Sequence, residues 1–88
     1  MKIKDGFVLR EVGGQAVVIA TGGASKTFHG MIKLNSTAMD IWKLMESGLD
    51  AESIADSITE KYNIDRESAS SDIKEFIEKM EKAGFIEL

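Results

Sequence analysis

The sequence predicts an α+β fold in which a three-stranded antiparallel sheet is followed by three helices, in the order β-β-β-α-α-α. Three observations carry this expectation. Within Met31 to Met45 the apolar period changes: Met31–Leu34 is short and apolar enough for a strand, whereas Ala38, Ile41, Trp42 and Met45 recur at the spacings of one helical face. Upstream, two runs rich in β formers flank a Gly-Gly pair. Downstream, Asp and Gly residues punctuate three helical stripes at the positions where helices start and stop.

The first strand is Phe7 to Val12 and the second Gln15 to Ala20, with Gly13-Gly14 between them supplying the positive φ angles of a two-residue hairpin turn. Thr21 to Gly30 holds three glycines together with Ser, Thr, Lys and His, and reads as a flexible connection whose Thr27-Phe28 could extend the next strand. The third strand, Met31 to Leu34, runs directly into a helix. Asn35 or Ser36 marks the changeover, because a short polar side chain there can accept from the unpaired N–H groups of the first turn.

Helix one spans Ser36 to Glu46 and stops at Ser47-Gly48, where Gly can adopt the left-handed conformation. Asp50 is the expected cap of helix two, in which Ile54, Ile58 and Tyr62 form an i, i+4, i+8 stripe with Ala55 beside it and Glu52 favours the positive end of the dipole. Asn63-Ile64 breaks the pattern. Asp65 caps helix three, which carries Ala69, Ile73, Phe76, Ile77 and Met80 on one face and ends at Ala83-Gly84. Phe85 to Leu88 alternates again, as a short returning strand or as packing on the core. The close succession of helices two and three looks like a helix-turn-helix pair, and with the hairpin it describes a winged helix-turn-helix domain.

A chain of 88 residues supports one domain, residues 1–88, with a single core. Hydrophobic residues at 43% against 30% charged argue for a folded globular chain. Cys is absent, so no disulfide framework exists and a reducing compartment suits the composition. Neither a signal-like start nor a run of about 18 apolar residues occurs, and the expected location is the cytoplasm, away from membranes. The net charge of −4 opposes non-specific attraction to nucleic acid. Carboxylates alternate with Lys along the last helix in the manner of a solvated face.

Reactive groups are few. His29 is the only histidine and lies in the Gly-rich connection, where it reads as an exposed loop residue or strand end; zinc clusters and Ser-His or Cys-His arrangements lack their components. Gly22-Gly23-Ala24-Ser25-Lys26-Thr27 does not match the phosphate-cradle spacing. Asp72, Glu75 and Glu78 follow one another at three-residue spacing on an expected exposed face, so they do not form a buried acid-base pair. Met39, Met45, Met80 and Trp42 fit core or groove packing. No catalytic residue, metal site or cofactor is expected. A three-stranded sheet does have two edges, and an edge beside an apolar helix flank can take an extended peptide through backbone hydrogen bonds. The third strand leads straight into the helices and adjoins such a flank.

Over nearly its whole length the chain resembles the PqqD-like family, small peptide-binding domains also called RiPP recognition elements. The resemblance is carried by Phe7-Val8-Leu9-Arg10-Glu11, by the stretch from Ile32 to Leu44, by Ser53 to Tyr62, and by Asp72 to Met80 followed by Ala83-Gly84-Phe85-Ile86; its most distinctive part is Leu34-Asn35 leading into a helix with Ile41-Trp42. It implies a non-catalytic peptide chaperone that binds the leader of a ribosomally made precursor peptide as a further antiparallel strand beside strand three, against helix three. A separate radical SAM enzyme, cyclase or protease would then modify the core peptide. Carried over by position, Met31, Ile32, Lys33 and Leu34 supply the edge, and Asp72, Ile73, Phe76, Ile77 and Lys79 are the candidates for the helical side. Positions 72, 76 and 79 lie on one flank of the stripe and 70, 74 and 77 on the other, and the sequence leaves both flanks open. For Ile73 and Phe76, plain core is the competing assignment.

Two other functions compete. A winged helix can enter the DNA major groove, but Arg66, Lys74, Lys79 and Lys82 are interleaved with Glu67, Asp72, Glu75, Glu78 and Glu81, so no basic stripe forms. A structural adaptor docking on an enzyme through its helices is the third. The free edge leaves both a monomer and an edge-paired homodimer open.

Overall fold

The computed structural model of the protein describes residues 2–23 and 31–87. Its elements are β1 (Lys2–Ile3), β2 (Phe7–Val12), β3 (Gln15–Ala20), β4 (Met31–Leu34), α1 (Ser36–Glu46), α2 (Ala51–Tyr62), α3 (Arg66–Lys82) and β5 (Ile86–Glu87). The main sheet is antiparallel with order β2-β3-β4, so the strand read third in the sequence is β4. The placements read for Thr27-Phe28, His29 and the Ala24–Thr27 part of the Ser-Lys-Thr cluster lie outside the described residues.

Each boundary follows from local chemistry. Gly13 and Gly14, at φ +58° and +81°, make the turn between β2 and β3. Asn35, not Ser36, caps α1: its Oδ1 accepts from the Ala38 N–H at 2.8 Å. Asp50 and Asp65 do the same for α2 and α3, accepting from Ser53 N–H at 2.8 Å and Ser68 N–H at 3.2 Å. These bonds lower both carboxyls from their ordinary value. Gly48 and Gly84, at φ +88° and +87°, end α1 and α3, and Asn63 takes the left-handed position after α2.

The sheet's inner face, α1, α2 and α3 enclose one core, in which Val18, Trp42, Ile54, Ile58, Ile73 and Phe85 are each at most 1% exposed. Burying a side chain of this size contributes roughly 1.5–3 kcal/mol. Phe85 joins the hairpin to the helices: its ring meets Phe7 edge-on at 4.6 Å and Trp42 at 6.4 Å. Phe85 is followed by β5, which pairs with β1 in a second, two-stranded sheet not expected from the sequence at its Lys2–Ile3 side. Strands of two residues are too short to display a period.

Asp40 clamps α1 to the end of α2. It accepts from the Tyr62 hydroxyl and pairs with Lys61 Nζ at 2.8 Å. Burial alone would raise this carboxyl; the hydrogen bonds from Lys61 and Tyr62 together outweigh it, and the group titrates below its ordinary value of 3.8. A depressed carboxyl stabilises the fold above its unfolded value and loses that contribution as pH falls through the lower folded value. Asp40→Asn should therefore be less stable than the parent protein at neutral pH, with the gap narrowing below the ordinary value. Urea unfolding midpoints at pH 7 and pH 3 check this, and a gap that widens in acid would contradict it.

Candidate functional site

The outer edge of β4 is bordered by no other strand among the described residues, since β4 ends the sheet order. The backbone groups it presents follow from the hairpin. The two-residue turn pairs Val12 with Gln15, and such a turn is closed by the N–H of its fourth residue donating to the carbonyl of its first, so Gln15 faces β2. Backbone groups alternate sides along a strand, so Val17, Ile19 and Thr21 face β2 as well. In agreement, Thr21 donates to the Gly6 carbonyl at 2.6 Å. Ala16 and Val18 then face β4, opposite Leu34 and Ile32. Leu34 and Ile32 are accordingly engaged with β3, while Met31 and Lys33 direct their N–H and C=O groups to the open edge.

Side chains alternate the other way round. Ile32 and Leu34 lie on the core face with Val18 and Ala16, and Leu34 is buried, whereas Met31 and Lys33 are exposed on the outer face. The Leu34 carbonyl also accepts from Gln15 Nε2 at 2.9 Å, which fixes the end of β4 just before the Asn35 cap.

Beside this edge runs an open groove of about 410 Å³. One wall is Ile32, Lys33, Leu34 and Asn35, the start of α1 contributes Thr37, Ala38 and Ile41, and α3 contributes Asp72, Glu75, Phe76, Lys79 and Met80. Asp72, Glu75, Phe76 and Lys79 stand at i, i+3, i+4 and i+7, so they form one flank of α3. The flank that meets β4 is therefore that of 72, 76 and 79. Ile32, Leu34, Ala38, Ile41, Phe76 and Met80 give the groove an apolar lining, Lys79, Asp72 and Glu75 supply charges of both signs, and Lys33 borders it with its side chain on the outer face. Phe76 is half-buried, packed on the core yet bordering the groove.

Of the residues singled out in the sequence, Ile32, Lys33, Leu34, Asp72, Phe76 and Lys79 come together at this groove. Met31 borders the edge but projects to the outer face and is 57% exposed. Ile73 is 1% exposed and sits in the core, and Ile77 packs against the core outside the groove lining. Asn35, Thr37, Ala38, Ile41 and Glu75 join the lining without having been expected there, and Met80, assigned to core or groove packing from the sequence, belongs to both. Glu75 lies one turn after Asp72 and was legible once the flank is known; Ala38 and Ile41 read as core because they belong to the α1 stripe. Among the described residues no group of three His, Cys, Asp or Glu side chains is placed to hold a metal ion, and no helix is long and apolar enough to cross a membrane.

Comparison with known proteins gives one family and two solved structures of the same fold. The model of the family described as coenzyme PQQ synthesis protein D (PqqD) matches residues 8–86. The solved structure of TbiB1 in complex with the TbiA(beta) leader peptide superposes with a TM-score of 0.78 at 24% identity, covering 99% of this chain and all of that one. Lasso peptide synthetase B1 complexed with the leader peptide superposes with a TM-score of 0.79 at 18% identity, covering 96% of this chain and 93% of that one. At these identities the likeness is one of fold. A search of curated proteins finds no match.

The alternation of backbone groups along β4 can be read directly by amide hydrogen exchange. Ile32 and Leu34 amides should exchange about tenfold or more slowly than that of Lys33 in the free protein. Equal protection of Lys33 and Ile32 would show that the edge is occupied or the register shifted.

Proposed function

The chain belongs to the PqqD family, and from this membership and the geometry of the groove we propose that it is a non-catalytic peptide-binding protein that takes up the leader of a ribosomally made precursor peptide. The leader adds as an antiparallel strand along β4, its backbone bonded to Met31 and Lys33 and its alternate side chains laid against Ala38, Ile41, Phe76 and Met80. The observation that carries this reading is the coincidence of an open strand edge with an apolar groove on the same side of the sheet. Backbone bonds supply affinity and the groove supplies selectivity. The leader peptides named in both structural neighbours support the same assignment.

In this role the protein is a chaperone for the precursor. It holds the leader while a separate modifying enzyme, of the radical SAM, cyclising or proteolytic kind, acts on the remainder of the peptide in the cytoplasm. The site residues are Met31, Ile32, Lys33 and Leu34 along the edge and Asp72, Phe76 and Lys79 on the facing helix. Ile73 and Ile77 act from behind by packing α3 in place. The free edge would be filled by the guest, so a bound protein is a monomer with respect to β4. DNA binding is disfavoured because the exposed cations of α3 remain interleaved with carboxylates.

Titration of isotope-labelled protein with precursor leaders encoded near its gene should shift the amides of residues 31–34 and of the 72, 75, 76 and 79 flank; shifts confined to other surfaces would reject the site. Phe76→Ala should weaken the same peptide by about tenfold, as expected when a half-buried aromatic anchor is removed. Lys33→Pro should weaken binding by removing an outward donor, while Ile32→Pro should instead lower thermal stability by breaking the bond to Val18.

A further inference from the structure

Resting on leader binding at β4, we infer that the guest strand carries a four-residue pattern, apolar-acidic-apolar-apolar from its N-terminus, with the acidic residue opposite Lys33. The pattern follows from what each position of β4 shows to a neighbour. In an antiparallel addition, successive guest residues lie opposite Leu34, Lys33, Ile32 and Met31. Those opposite Leu34 and Ile32 share the inner face and enter the groove, where the apolar lining favours apolar side chains. Those opposite Lys33 and Met31 share the outer face.

That outer face is crossed by two rows of different character. Val8, Ile19 and Met31 lie in register, and Arg10, Val17 and Lys33 lie in register beside them. The first row is wholly apolar and ends at the edge with Met31, 57% exposed, so a guest residue opposite it extends an apolar row. The second row ends at the edge with Lys33, which makes no ion pair among the described residues. Arg10, at the far end of that row, donates to its neighbour's Leu9 carbonyl at 3.0 Å. Directly opposed side chains of opposite charge on one sheet face attract, and like charges repel. An acidic residue therefore suits this position and a basic one does not. The preference is local, because the net charge of −4 repels acidic peptides at longer range. Shifted by one residue, the same carboxylate would leave Lys33 and enter the groove, where the apolar lining disfavours it and the two carboxylates of Asp72 and Glu75 outnumber the one cation, Lys79, on the α3 flank.

Selection of random 12-residue peptides against the full chain and against its Lys33→Glu variant tests this, with amide shifts at residues 31–34 identifying the peptides that seat on β4. Such peptides should share the pattern. Replacing their acidic residue by Lys should weaken binding to the parent protein about threefold to tenfold and strengthen binding to Lys33→Glu by a similar factor. Moving the acidic residue one position along should weaken binding to the parent. Peptides that seat on β4 with no charge preference, or with the same preference for both proteins, overturn the pattern and leave leader binding intact. A selection that yields no peptide seated on β4 overturns the edge as a strand-binding site, and the pattern with it.

Discussion

The two-residue turn at Gly13-Gly14 determines which residues of β3 turn their backbone groups toward β4. Side chains and hydrogen-bonding groups both alternate along a strand, so once Val12 and Gln15 close the hairpin, Ala16 and Val18 must face β4, and their pairing with Leu34 and Ile32 completes the assignment. The bond from Thr21 to Gly6 at the other end of the hairpin keeps the same alternation over its whole length. The result is an edge at which Met31 and Lys33 point their N–H and C=O groups outward while Ile32 and Leu34 hold the strand to the sheet. A slip of one residue in either ladder would exchange these roles and turn Leu34 out of the core.

The helices convert that edge into a groove. Asn35 ends β4 and begins α1 with no intervening residue, which seats Ala38 and Ile41 at the foot of the edge. Asp40 ties α1 to α2 through Lys61 and Tyr62, and α2 packs along α3 with Ile54 and Ile58 against the same core as Ile73. Burial of Ile73 and Met80 sets the rotation of α3 about its axis. That rotation brings Asp72, Glu75, Phe76 and Lys79 to the side facing β4. Core packing and groove geometry are thus one arrangement: the residues that bury the helix also aim the flank that lines the groove.

Much of this was legible in the sequence because it depends on short-range chemistry. The helix caps Asp50 and Asp65, the stop at Gly48 and the hairpin glycines act within four residues, and their residue types announce them. What was not legible depends on distance. The choice between the two flanks of α3 turns on how deeply Ile73 and Ile77 are buried, and their periodicity is equally good for either. The register of β4 against β3 passes through a connection long enough to permit any alignment, so the outward direction of Lys33 required the observed pairing with Val17. The pairing of β1 with β5 joins the two ends of the chain through strands of two residues, which carry no pattern.

The central claim is that a leader peptide extends the sheet at β4 in an alignment set by the hairpin together with the register of β4 on β3. In an antiparallel pair the non-hydrogen-bonded residues approach to about 4.5 Å between Cα atoms, against about 5.5 Å for the hydrogen-bonded ones. Isotope-filtered nuclear Overhauser measurements on the complex with a labelled protein and an unlabelled leader report these distances directly. Strong contacts between α protons should join the peptide to Ile32 and Leu34, with weaker ones at Met31 and Lys33. Strong contacts at Lys33 in place of Ile32, or at β2 in place of β4, would contradict the account.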